Sequence, residues 1–93
     1  MKVSKTRHLP RKPNYVDCAI GQAIHDIRVE KGLSLRSLAN AVSVSYQQIQ
    51  KYEAGENRIT AHRLYQICQL FDVPIESMFA ELTSAKRALR SKI

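Results

Sequence analysis

Residues 32–52, GLSLRSLANAVSVSYQQIQKY, hold two short helical patterns with almost nothing between them. Ser34 is a good N-cap, because its hydroxyl can accept from an otherwise orphaned amide of the first turn. Leu35, Leu38, Ala39 and Val42 then recur on one face at helical spacing. Ser43 and Val44 form a short break. Ser45 caps a second pattern, and Gln48 three residues on completes a capping box. That helix turns Ile49 and Tyr52 inward and stops at Gly55. Its outward face is Tyr46, Gln47, Gln48, Gln50 and Lys51, with no acid before Glu53. Solvated helix faces ordinarily carry Glu and Lys. Glutamine instead offers a donor and an acceptor together, which matches the N6/N7 edge of adenine in the major groove of DNA, and Lys51 can reach guanine acceptors or a phosphate.

The flanks supply a scaffold for this pair. Val16, Ile20, Ala23, Ile24 and Ile27 repeat at helical spacing, which predicts a first helix of about four turns ending at Lys31, with Gly32 taking a left-handed cap. After the loop Glu56-Asn57-Arg58-Ile59, Thr60 caps a further helix with Leu64, Ile67, Cys68 and Phe71 inward. Asp72-Val73 is a turn, and Pro74 fits the first position of a fifth helix, where a missing N–H costs nothing. Ile75, Met78, Phe79 and Leu82 form its apolar stripe. No strand pattern and no internal repeat occurs, so the expectation is an all-α domain of five short helices over residues 14–82.

The chain has 93 residues, of which 44% are hydrophobic, enough for one aliphatic core. Its net charge of +7 is uneven. Residues 1–13 carry Lys2, Lys5, Arg7, Arg11 and Lys12 with no acid, and end with Pro10 and Pro13, which suggests a flexible basic arm. Residues 83–93 form a basic tail in which Ala85, Leu89 and Ile93 continue the stripe from Leu82. A near-neutral body with basic ends suits a polyanionic partner, while the bland alternative is that both ends are merely solvated. No eighteen-residue apolar run occurs, so no membrane partner is expected, nor a secretory leader, since no apolar stretch follows the basic N-terminus. The expected location is the cytoplasm. Cys18 and Cys68 read as two buried thiols. His8, His25 and His62 lie far apart, so no metal site or cofactor is expected. No catalytic spacing motif joins the Ser, His and Asp residues, which argues against an enzyme.

The motifs that align this chain with a known family are Ile20-Gly21, Ile24, Ile27-Arg28, Gly32-Leu33-Ser34, Leu38-Ala39, Val44-Ser45, Ile49 through Gly55, Asn57-Arg58-Ile59-Thr60 and Leu64. Together they resemble the helix-turn-helix domain of the XRE family, which includes the Cro and repressor proteins of lambdoid phages. The resemblance covers about two-thirds of the chain, residues 20–82. It implies a five-helix, lambda-repressor-like DNA-binding domain. It places Tyr46, Gln47 and Lys51 at base-reading positions, with Gln48 and Gln50 nearer the backbone, and Arg28 and Glu53 as an ion pair tying the first helix to the end of the third. Ser45, Asn57 and Arg58 are further candidates for the sugar-phosphate backbone. Packing against a neighbouring helix is the alternative for Tyr46, a capping role for Gln48, plain solvated surface for Gln50 and a surface pair with Glu56 for Arg58. Two departures from the family pattern stand out. Leu35 occupies a position where many members have a phosphate-contacting Gln, and Ser43 occupies the turn position where Gly is usual, which predicts an altered turn.

The resulting expectation is a sequence-specific regulator of transcription, a dimeric repressor on a palindromic operator. Ile75, Met78, Phe79 and Leu82 are its candidate dimer surface. The competing function is an antitoxin that binds a partner protein and autoregulates through DNA.

Overall fold

The computed structural model describes residues 14–82, so the readings for the basic arm and the basic tail lie outside the described residues. It contains four α-helices, α1 (Tyr15–Glu30), α2 (Leu35–Ala41), α3 (Tyr46–Glu53) and α4 (Ala61–Phe71), followed by a 3-10 helix, Ile75–Phe79, that runs on into α-helical residues 80–82. The first helix starts one residue earlier than expected because Asn14 caps it. The Asn14 carboxamide oxygen accepts from the Val16 and Asp17 amides at 2.9 and 3.0 Å. Ser34, Ser45 and Thr60 cap the next three helices, each through a side-chain oxygen that accepts from the amide three residues on. At Ser45 that donor is the Gln48 amide, at 3.1 Å; no return bond from the Gln48 side chain forms among the described residues.

All four α-helices stop in the same way. The chain turns left-handed at Gly32 (φ 74°), Ser43 (φ 58°), Gly55 (φ 76°) and Asp72 (φ 58°). In each case the next amide reaches back five residues to a carbonyl of the last turn, as Leu33 N–H does to Arg28 and Val44 N–H to Ala39. Ser43 therefore does not alter the turn as expected. It adopts the glycine-type conformation, held there by the flanking hydrogen bonds at a steric cost to its Cβ. Ser43→Gly is expected to raise the stability of the domain by up to about 1 kcal/mol. A denaturant midpoint that stays put or falls would show that Ser43 is unstrained.

The core is aliphatic, as composition suggests. Ile20, Ile24, Leu38, Ala39, Val42, Ile49, Leu64, Ile67, Cys68, Phe71 and Met78 are all buried. α1 packs on α3, on α4 and on the 3-10 helix, while α2 packs on α3. Two expectations need correcting here. Pro74 precedes the fifth helical element as its cap, and that element opens as a 3-10 helix over Ile75–Phe79 before becoming α-helical at residues 80–82. Within it Met78 is only 1% exposed and closes the core against α1 and α4, so it cannot belong to a dimer surface; Ile75 is exposed, and Phe79 and Leu82 are half-buried. The cysteines also divide. Cys68 is buried, which pushes its thiol up from the ordinary value by desolvation. Cys18 is exposed, because it lies on the side of α1 away from Ile20 and Ile24.

Candidate nucleic-acid interface

α3 is held from one side and open on the other. Ile49 is fully buried beneath it, and Tyr52 is half-buried. The opposite face carries Gln47, Gln50 and Lys51, all exposed. None of these three side chains makes a hydrogen bond or ion pair among the described residues. Ser45 is exposed at the head of the helix.

Backbone approach and buried charge fix how α3 sits on α1. Gly21 is buried where the two helices meet. A Cβ built there would lie 2.2 Å from the Tyr52 carbonyl oxygen and 2.7 Å from that of Glu53, so only glycine admits this crossing. About two turns further along α1, Arg28 Nε donates to Glu53 Oε2 at 2.7 Å and Nη2 donates to Oε1 at 3.2 Å. Both side chains are about nine-tenths buried. Arg28 Nη1 also donates to the Leu33 carbonyl at 2.8 Å, so one guanidinium ties the end of α3 to the entry of α2. His25 completes the cluster, with Nδ1 at 3.0 Å from Glu53 Oε1 and 3.3 Å from Arg28 Nη2. Nδ1 can donate to the carboxylate or accept from the guanidinium, but not both at once.

The remaining cations have distinct surroundings. Arg58, in the loop after α3, lies 3.5 Å from Asp17 Oδ1 rather than against Glu56. Its side chain is still half exposed, while Asp17 is buried at the start of α1. Asn57 beside it is half-buried. Arg63 reaches from the first turn of α4 to the Val42 carbonyl at 2.7 Å, supporting the end of α2 just before the turn into α3. That contact explains a cation at a helix N-terminus, where the dipole disfavours it. Tyr46 is half-buried, and the Arg36 guanidinium lies over its ring at 4.6 Å.

The structure thus brings Tyr46, Gln47, Gln50 and Lys51 onto one helix, with Arg28 and Glu53 behind it. Sequence reasoning missed Asp17 and Arg36, read His25 as an ordinary surface or half-buried histidine, and set Arg63 at the helix start with a surface pair to Glu56 as its alternative, without its bond to Val42. Three of these act on groups more than twenty residues away, and no local spacing signals such a pair. Among the described residues no group of three His, Cys, Asp or Glu could hold a metal ion, and no helix is long and apolar enough to cross a membrane.

The helix-turn-helix family (HTH_3) matches residues 24–78. An uncharacterized transcriptional regulator in the ATPase CF(0) region of Rhodospirillum rubrum is 44% identical over 72 residues, which span 77% of this chain and 67% of that protein. An uncharacterized HTH-type transcriptional regulator of Sinorhizobium medicae is 39% identical over 71 residues, spanning 76% of this chain and 51% of the relative. The chain therefore matches between half and two-thirds of the length of these relatives. Among solved structures, the clp gene regulator ClgR from Corynebacterium glutamicum is similar with a TM-score of 0.71 and 25% identity, over 77% of this chain and 94% of that one. The restriction-modification controller protein C.AhdI from Aeromonas hydrophila has the same fold, with a TM-score of 0.65 and 21% identity over 68% and 96% of the two chains.

Proposed function

This chain belongs to the helix-turn-helix family, and we propose that it is a sequence-specific, double-stranded DNA-binding regulator of transcription that acts as a dimeric repressor on a palindromic operator. The observation that carries this reading is the open face of α3. Three polar side chains without partners among the described residues, on a helix whose other side is locked to α1, suit entry into a major groove. Gln47 and Lys51 are the base readers, while Ser45, Gln50, Asn57 and Arg58 lie nearer the sugar-phosphate backbone. Arg58 keeps half its side chain exposed for that purpose despite Asp17.

Two-fold pairing follows from reach. One recognition helix spans few base pairs, and a dimer places two in successive major grooves roughly 34 Å apart. C.Esp1396I, which shares the fold at 22% identity, was solved as a tetramer in complex with its natural 35-base-pair operator. Here the pairing surface is centred on exposed Ile75, with Phe79 and Leu82 at its margin.

The test is Gln47→Ala, measured on a duplex selected from random DNA by the wild-type chain and on an unselected duplex of equal length. The selected duplex should lose about 1–3 kcal/mol of binding free energy and the unselected one little. Equal losses on both would remove Gln47 from base reading.

A further inference from the structure

Six Lys and Arg residues lie between positions 14 and 82. Arg28 and Arg58 face carboxylates, and Arg63 is engaged by a backbone carbonyl. Lys31, Arg36 and Lys51 have no carboxylate within ion-pair distance among the described residues. Of these three, Arg36 alone is held by a neighbour. It is the second residue of α2, and its guanidinium lies 4.6 Å from the ring centre of Tyr46, the first residue of α3. The stack therefore joins the leading ends of the two helices, beside Gln47.

The chemistry of such a stack is specific. A guanidinium that lies flat on a ring is attracted through its face by the ring's quadrupole, and its N–H donors all point outward in its own plane. Held over the ring, the exposed guanidinium keeps N–H donors free, and their fork matches two oxygens of one phosphate. The arrangement also assigns Tyr46. One face of its ring is covered by Arg36 and part of the side chain packs on the core, which leaves little of it to meet a base.

We infer that Arg36 is a phosphate-contacting residue of the DNA interface and that Tyr46 is its positioning residue, a platform that pre-orients the guanidinium over the backbone next to the bases read by Gln47. This rests on the DNA-binding reading above and adds to it a contact that Leu35, the neighbouring position, is unable to make. Because a phosphate carries no sequence information, Arg36 contributes affinity without discrimination.

The experiment is a salt titration of binding, with the full chain, on the selected and the unselected duplex. Arg36→Ala should weaken both by the same factor, roughly tenfold, and flatten the log–log salt slope by about 0.9. Arg36→Lys should keep the slope, since the charge remains, but recover only part of the affinity. Tyr46→Leu retains apolar packing without the ring. It should weaken both duplexes several-fold in the wild-type background and have no further effect in Arg36→Ala, with thermal melts confirming that each variant folds. An Arg36→Ala slope equal to wild type, or a loss confined to the selected duplex, overturns the assignment while Gln47→Ala still discriminates. Absence of salt-dependent duplex binding by the wild-type chain overturns the DNA reading itself. Equal Tyr46→Leu losses with and without Arg36 overturn the platform role.

Discussion

Gly21→Ala is expected to destabilise the domain by about 3 kcal/mol or more, at the upper end of what overpacking usually costs. The added methyl would meet the Tyr52 oxygen at 2.2 Å, the Glu53 oxygen at 2.7 Å and the Glu53 carbonyl carbon at 2.9 Å. All three are backbone atoms, so no rotamer change makes room. α1 and α3 must separate, and that separation breaks the buried ion pair about two turns away. For a domain of this size the melting temperature should fall by more than about 10 °C. Gly32→Ala is the internal comparison. No atom lies within 4 Å of a Cβ there, so only the left-handed backbone (φ 74°) opposes the change, at about 1–2 kcal/mol. Equal melting temperatures for the two variants would mean that α1 and α3 do not approach so closely.

The second large effect is expected at the ion pair. Glu53→Ala strands the Arg28 guanidinium, 11% exposed, with the Leu33 carbonyl as its remaining acceptor apart from His25. Removing one partner of a buried pair typically costs about 3–5 kcal/mol, because the other charge stays desolvated and uncompensated. Replacing both residues together, Arg28→Met with Glu53→Leu, should recover much of that loss, since apolar groups need no counter-charge. The penalty should also persist in high salt, which screens surface pairs far better than buried ones. Denaturant unfolding of the two single variants and the double variant gives the coupling directly. If Glu53→Ala melts like the wild type, the pair contributes nothing to the fold.

These sites show what sequence reading can and cannot reach. The caps at Ser34, Ser45 and Thr60 were legible because the donor lies three residues from the acceptor. The inward faces of α1 to α4 were legible because a 3.6-residue period sorts them. The fifth helix was legible but its inward face was not, because it opens as a 3-10 turn over Ile75–Phe79, where three residues complete a turn and too few residues repeat to reveal a face. Met78 therefore read as surface although it is core. Cys18 was misplaced for the opposite reason: its apolar character outweighed its position two residues from Ile20, on the far side of α1. Ser43 read as an obstacle because side-chain preference is local, while the hydrogen bonds that hold the turn belong to its neighbours. At the interface, Gln47, Gln50 and Lys51 were legible as an odd composition on one face. The Arg28–Glu53 pair, whose partners lie 25 residues apart, was reached through the family resemblance and through each being the charged group closest to an apolar seam.

The division of α3 into a held side and an open side bears on how such a chain can diversify. Ile49, Tyr52 and Glu53 answer to the core, to Gly21 and to Arg28, whereas Gln47, Gln50 and Lys51 make no side-chain hydrogen bond or ion pair among the described residues. Substitutions at the second set are nearly neutral for folding, as surface changes usually are. On the DNA-binding reading proposed above, descendants of this sequence can therefore exchange one target for another by drifting at Gln47 and Lys51, without first acquiring compensating changes in the body of the protein. Constraint and novelty are inherited on opposite sides of a single eight-residue helix.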